Sequence, residues 1–322
     1  DQPFRDDALH KNGLLISRLL WERLQVAYGD RELHIAVLTA LGLQPGAGVP
    51  DGVLDGLKGI VSGDKVHGRR WDDLKRAHAV TAIARLGGTR GNAAMLRLAN
   101  DRGKPLLVRM AAAIALDHRA SAMRGPERSA AVRLVIQSFQ LEQEMLGVGL
   151  ANITLGRMVG VDLGAGSTRA LKADKADTLL LKRAERAPWY LRGFGSLGLA
   201  LAAREAPSDQ PTTAAFRRKA AACLVQAARN ARSEWSVRCA AVVGLGLLGD
   251  DTCESFLLAL LDRETEDPEL RAHAALALGQ VRATSPEAVK ALEEVVVGSA
   301  PEVMRVNAAL ALSLLGRKAV AP

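Results

Sequence analysis

The chain has 322 residues, 48% of them apolar but only 3% aromatic, and carries a formal net charge of +8. A core drawn from Ala, Leu and Val argues for closely packed helices, and the Ile, Val, Tyr, Phe and Thr runs that make strands are largely absent. The longest apolar stretches, such as Phe194–Ala203, fall well short of the ~20 residues a membrane crossing needs, and three Cys (Cys223, Cys239, Cys253) form no disulfide framework and suit free buried thiols.

The predicted helices follow one another in pairs. Asp7–Ala27 precedes a helix around His34, capped by Asp30 and stopped by Gly42. Asp51–Val61 precedes one around Arg76, between Asp72 and Gly87. Asn92–Asp101 precedes one around Arg109, and Pro126–Glu144 one around Val148 that should stop at Gly160. Leu171–Arg186 then pairs with a helix around Arg192, and Thr212–Arg229 with one around Arg238, between Ser233 and Gly249. Asp251–Asp262 pairs with a helix around Arg271, where Asp267 is the cap and Pro268 suits the first position. Pro286–Val297, started by Ser285, pairs with a helix around Arg305, between Ser299 and Gly316. The loops Leu43–Pro50 and Ala206–Pro211 are natural insertion sites, and 160–167 is the expected hinge.

The second helix of each pair shares one frame. Three residues after the anchor stand Val37, Ala79, Ala112, Ala151, Gly195, Ala241, Ala274 and Ala308, nearly all small. Seven after it stand Leu41, Ile83, Leu116, Leu155, Leu199, Leu245, Leu278 and Leu312, all aliphatic. Offsets of three and seven fall on one helical face, where the small residue admits a neighbouring helix and the large one fills the gap beside it. The anchors are spaced 42, 33, 39, 44, 46, 33 and 34 residues apart. Such a period marks an all-α solenoid, here of about eight antiparallel helix pairs over residues 1–322.

This frame resembles the HEAT-repeat superfamily (armadillo-like helical proteins), and within it the short repeats of the phycobilisome-lyase type. The pattern reads DPELRAHAALALG at 267–279, APEVMRVNAALALS at 300–313 and SVRCAAVVGLGLLG at 236–249; at 31–42 it reads RELHIAVLTALG, with His34 in place of Arg. The resemblance implies a curved stack whose concave side is lined by the anchored helices, and a scaffold for protein binding rather than an enzyme. A few relatives are enzymes, bilin lyases and a DNA glycosylase, and no motif here maps onto their active residues.

The chemistry is sparse. The six histidines show no i, i+4 pair and join no Cys pair, so neither a metal nor another cofactor is expected. Gly164-Ala165-Gly166-Ser167 lacks the following Gly-Lys-Ser/Thr of a phosphate loop and reads as a linker, and no small-molecule substrate is evident. The recurring anchor arginines read as structural, each able to bond a carboxylate or carbonyl of an adjacent repeat.

Charge is localised. Between Gly166 and Arg232 there are thirteen Lys/Arg against five Asp/Glu, an excess equal to that of the whole chain. Lys172, Lys175, Lys182 and Arg186 fall on one stripe of the predicted helix 171–186, with Arg183 beside it; Arg217, Arg218 and Lys219 open the next outer helix. Trp189 and Trp235 each stand three residues before an anchor. These residues, with Phe194, are the candidate binding site for a protein partner; nucleic acid or another polyanion held along 169–232 is the alternative, and a solvated face the plain one.

Glycines crowd the central anchored helices: Gly147, Gly149, Gly193, Gly195, Gly198, Gly244 and Gly246. Each costs up to ~1 kcal/mol relative to Ala, offset either by tight helix packing or by close approach of a partner. The compartment stays open: a chain starting at Asp1 suits a cytoplasmic protein or one exported after losing an N-terminal segment.

Overall fold

A computed structural model describes residues 2–26, 30–44, 49–86, 94–95, 97–99, 101–119, 132–133, 135–136, 145–164, 175–283 and 285–316. Among them the long elements are all helices: α1 (Gln2–Val26), α2 (Arg31–Gly42), α3 (Asp51–Ser62), α4 (Asp73–Leu86), α5 (Leu106–Arg119), α6 (Met145–Gly164) and α7 (Ala176–Arg186). They continue with α8 (Trp189–Arg204), α9 (Pro211–Arg229), α10 (Trp235–Leu248), α11 (Glu254–Asp262), α12 (Pro268–Val281), α13 (Pro286–Val297) and α14 (Glu302–Gly316). A 3₁₀ turn at Asp251–Cys253 leads into α11. The fold is an α-solenoid, and all eight anchors lie in helices.

The chain divides into two compact units, Asp1–Thr154 and Leu155–Pro322. In the first, α2, α4 and α5 stack in one layer, with α1 and α3 outside α2 and α4. In the second, α8, α10, α12 and α14 form the inner layer, and α7, α9, α11 and α13 the outer. The shared frame explains the stacking. Every residue three after an anchor is buried, and six after an anchor Ala82, Ala115, Thr154, Gly198, Gly244, Ala277 and Ala311 are buried too. Small residues thus seat helix on helix, and the Leu of each frame fills the remaining groove.

The glycines belong to this packing. A Cβ on Gly195 would lie 2.7 Å from the Arg183 carbonyl carbon in α7, and one on Gly160 2.6 Å from Leu201 O in α8. Gly156 meets the backbone of Gly198, and Gly193 faces Ala240 of α10. Helix α8 is therefore approached on three sides at glycine: by α6, α7 and α10. No partner chain is needed to explain Gly195 or Gly198.

Helix ends follow the caps in part. Asp30, Asp267 and Ser285 accept from Leu33 N, Glu269 N and Ala288 N, and Asp72 accepts from Lys75 N. Gly249 closes α10 in the left-handed region at φ 65°. Four expectations change. Helix α10 starts after Glu234, so Ser233 is not its cap. Helix α14 starts at Glu302, beyond Ser299. Helix α6 runs through Gly160 to Gly164, because Gly160 is used to admit α8; the rest of the expected hinge, 165–167, lies outside the described residues. Helix α7 starts at Ala176, with Lys175 outside it at φ 50°. Of the predicted helix Asn92–Asp101, residues 94–95 and 97–99 are helical, while Pro126–Glu144 falls largely outside the described residues.

Candidate functional site

The anchor guanidinium has a recurring target: the carbonyl of the penultimate residue of the preceding outer helix. Arg76 Nη2 donates to Val61 O at 3.0 Å, and α3 ends at Ser62. Arg238 Nε donates to Ala228 O at 2.9 Å, one residue before the end of α9. Arg271 Nε donates to Leu261 O at 2.8 Å, one residue before the end of α11. These carbonyls have no acceptor role left within their own helix, so the arginine caps it.

The His34 repeat keeps the bond by other means. Arg69, from the loop between α3 and α4, donates to Gln25 O at 2.6 Å, again one residue before a helix end, and contacts His34 Nε2 at 3.1 Å. A tight turn delivers it: Val66 and Arg69 exchange backbone bonds across His67 (φ 54°) and Gly68 (φ 75°). Two positive φ values in a two-residue loop define a type I′ turn. His34 is buried edge-on to Trp71, with Arg69 stacked over the same indole. Sequence reading missed Arg69 because nothing in its local pattern marks it as an anchor.

Arg238 has a second partner. Both oxygens of Glu266, five residues before Arg271, accept from Arg238 Nη2 at 2.8 Å, and both side chains are nearly buried. Hydrogen bonds from Arg238 hold the Glu266 carboxyl below its ordinary range.

Arg192 departs from all of these. Its guanidinium reaches neither the Glu185 carbonyl, one residue before the end of α7, nor any carboxylate, and its Nε is buried without a hydrogen-bond partner. Two features of the sequence account for this. The α7–α8 link is only Ala187-Pro188, where the equivalent links in α9–α10 and α11–α12 run to five residues. The residue five before Arg238, matching Glu266 in register, is Ser233. Arg192 instead lines a cavity of about 280 Å³ with Arg186, Cys223, Gln226, Asn230 and Ser233. Glu185 is also on its wall, where its charge helps push the Cys223 thiol up. Arg305, the last anchor, is exposed at the chain's final described helix.

The other candidates are distributed unevenly. Lys175, Lys182, Arg186, Arg218 and Lys219 are exposed, and Arg183 and Phe194 are half-buried; Lys172 lies outside the described residues. Trp189 and Trp235 occupy the first turns of α8 and α10 and are 52% and 44% exposed, and Trp189 meets Tyr190 edge-on at 5.7 Å. Each Trp stands three residues before an anchor, Trp189 before Arg192, which lines the cavity with Arg186, and Trp235 before Arg238. Arg217 stands elsewhere. It donates to Asp250 and to the carbonyls of Ala203, Arg204, Leu248 and Gly249, tying the C-termini of α8 and α10 together. Arg218 lies eight residues before Gln226 on α9, so about 12 Å along the axis from the cavity. The basic stretch is thus divided between two ends of the helices and does not form one strip.

Burial pushes the three thiols up, Cys223 and Cys239 to about 12 and Cys253 to about 11, with nearby Glu185, Asp267 and Asp250 adding to it. All three are free and buried. Among the described residues no three His, Cys, Asp or Glu side chains converge as a metal site, and no helix is long and apolar enough to cross a membrane.

The second unit is therefore a solenoid of paired helices in which Arg192, an interior anchor, is out of its structural place. A family profile described as HEAT repeats matches residues 218–313, the span from α9 to α14. Residues 218–313 are therefore HEAT repeats. No curated protein matches it. Similar solved structures include human deoxyhypusine hydroxylase in complex with glycerol, at 17% identity and TM-score 0.38, covering 98% of this chain and 99% of that one. An engineered protein is similar at 17% identity and TM-score 0.44, over 93% of this chain and 78% of that one. Importin beta is similar at 16% identity and TM-score 0.43, over 100% of this chain and 46% of that one.

Proposed function

We propose that the chain is a non-enzymatic scaffold that binds a protein partner at the cavity end of α7–α10. The observation that supports this most is the exposure of Trp189, Tyr190, Trp235 and Arg186 together in neighbouring repeats. Large aromatics and Arg are the residues that anchor protein interfaces, since each brings much contact area at low entropic cost. Single exposed apolar side chains are unremarkable, but Trp189 is paired edge-on with Tyr190 and Trp235 repeats the same register in the next repeat.

Nucleic acid is the weaker reading. A phosphate backbone needs a continuous track of cations, and here Arg218 and Lys219 stand about 12 Å from the cavity end while Arg217 is committed to carbonyls and Asp250.

The test is affinity capture from the native host on the intact chain, compared with a Lys182→Glu/Arg186→Glu variant and with Trp235→Ala. The expected result is a protein retained at ordinary salt by the wild type and lost from both variants. Retention of DNA or RNA with a steep salt dependence would overturn the reading in favour of the polyanion one.

A further inference from the structure

We propose that the Arg192 cavity is a carboxylate site, filled by an Asp or Glu side chain of the partner, which takes the place that Glu266 takes in the next repeat. The proposal rests on the scaffold reading above and names the partner's chemistry.

The two repeats make the comparison internal. In the α10 repeat, Arg238 is satisfied twice, by Ala228 O from the outer helix and by the bidentate Glu266. In the α8 repeat, Arg192 has neither partner, and Ser233 stands where the chain would have supplied the carboxylate. A serine is too short to bridge the gap, and the gap is an open cavity of about 280 Å³. A guanidinium with a buried, unbonded Nε is costly unless something accepts from it. Its planar fork suits a carboxylate entering with two oxygens.

The rest of the wall fits that ligand. Arg186 adds a second cation at the mouth, and Gln226, Asn230 and Ser233 offer neutral donors. The one opposing charge, Glu185, is outnumbered by Arg186 and Arg192 and makes no ion pair with Arg192. Trp189 and Trp235 stand one turn before Arg192 and before Arg238 and are exposed, so each repeat offers apolar surface near its anchor to a peptide carrying the carboxylate.

The experiment uses the full chain and a defined probe, an acetylated and amidated hexaglutamate peptide, with hexaglutamine as control and free citrate as a small carboxylate. Binding is read by tryptophan fluorescence at low salt. The wild type should bind hexaglutamate and not hexaglutamine; citrate that competes only weakly would assign the site to a side chain on a peptide. Arg192→Gln should weaken hexaglutamate at least about tenfold. Ser233→Glu supplies the missing carboxylate in cis. It should abolish hexaglutamate binding and raise Tm by about 2–4 °C, and the rise should vanish in the Ser233→Glu/Arg192→Gln double variant. Ser233→Gln should do neither. Hexaglutamate binding that survives both Arg192→Gln and Ser233→Glu, or no binding by the wild type, overturns the proposal. Citrate binding as tightly as hexaglutamate overturns the peptide assignment. If a host protein is captured through Trp235 but is indifferent to Arg192→Gln, the carboxylate site fails while the scaffold reading stands. If the wild type captures none, the scaffold reading fails with it.

Discussion

Replacing Gly195 by Ala separates helix packing from partner approach. The new Cβ would stand 2.7 Å from the Arg183 carbonyl carbon and 2.8 Å from Ala184 N, both backbone atoms of α7 that no rotamer change can move aside. Overpacking costs about 1–3 kcal/mol, and a clash with two backbone atoms belongs in its upper part, about 2–3 kcal/mol. Ala gains up to ~1 kcal/mol over Gly in a helix interior, which leaves a net loss of about 1–2 kcal/mol. For a folding unit of this size, each kcal/mol moves Tm by about 2–4 °C, so Tm should fall by about 2–8 °C. Gly193, two residues earlier on the same helix, is the control. Its Cβ would meet the Ala240 methyl at 3.2 Å, which can yield slightly, and Ser236 O at an ordinary 3.9 Å, so the helix-propensity gain roughly balances the crowding. Gly193→Ala should therefore leave Tm near the wild-type value. The assay is calorimetry of the three proteins side by side. A Gly195→Ala protein as stable as the wild type, with weakened partner binding, would refute the packing account and restore partner approach.

Three further outcomes follow from the anchors and thiols. Glu266→Gln removes the charge that pairs with Arg238, and should cost about 2 kcal/mol at neutral pH, read by denaturant unfolding. Glu266 has a folded pKa below its unfolded one, so its stabilisation is present above about pH 4.3 and is lost as pH falls through the folded value. The wild type should accordingly lose Tm below about pH 4.3 more steeply than Glu266→Gln does. Cys223, Cys239 and Cys253 should react with a thiol reagent at pH 8 only after unfolding, being buried and held at about 11 to 12; rapid reaction of the native chain would contradict that placement.

Much of this architecture is legible in the sequence because packing in a solenoid is local. Each helix touches mainly its neighbours, so the small residue three after an anchor and the Leu seven after it report the same contact eight times. What the sequence hides is long-range or conditional. Arg69 substitutes for the anchor lacking at His34, but only the fold brings a loop residue to the end of α1. Arg217 looks like part of a basic run, yet five acceptors from two other helix ends hold it. Gly160 reads as a helix stop, but it is a place where α8 comes close. Arg192 carries the same residue in the same register as Arg238. Only the two-residue α7–α8 link and the serine at 233 set it apart, and neither is informative until the target carbonyl and Glu266 are seen in the neighbouring repeat.

The contrast between those two arginines tests the account most directly. Arg192→Gln and Arg238→Gln are compared in the full chain, by Tm and by hexaglutamate binding. Arg238→Gln leaves Glu266 and Ala228 O without their main partner and should lower stability by about 2–3 kcal/mol with binding retained. Arg192→Gln breaks no internal bond and should keep Tm while binding is lost. A large fall in Tm for Arg192→Gln, with binding unchanged, would make it one more structural anchor and contradict the assignment.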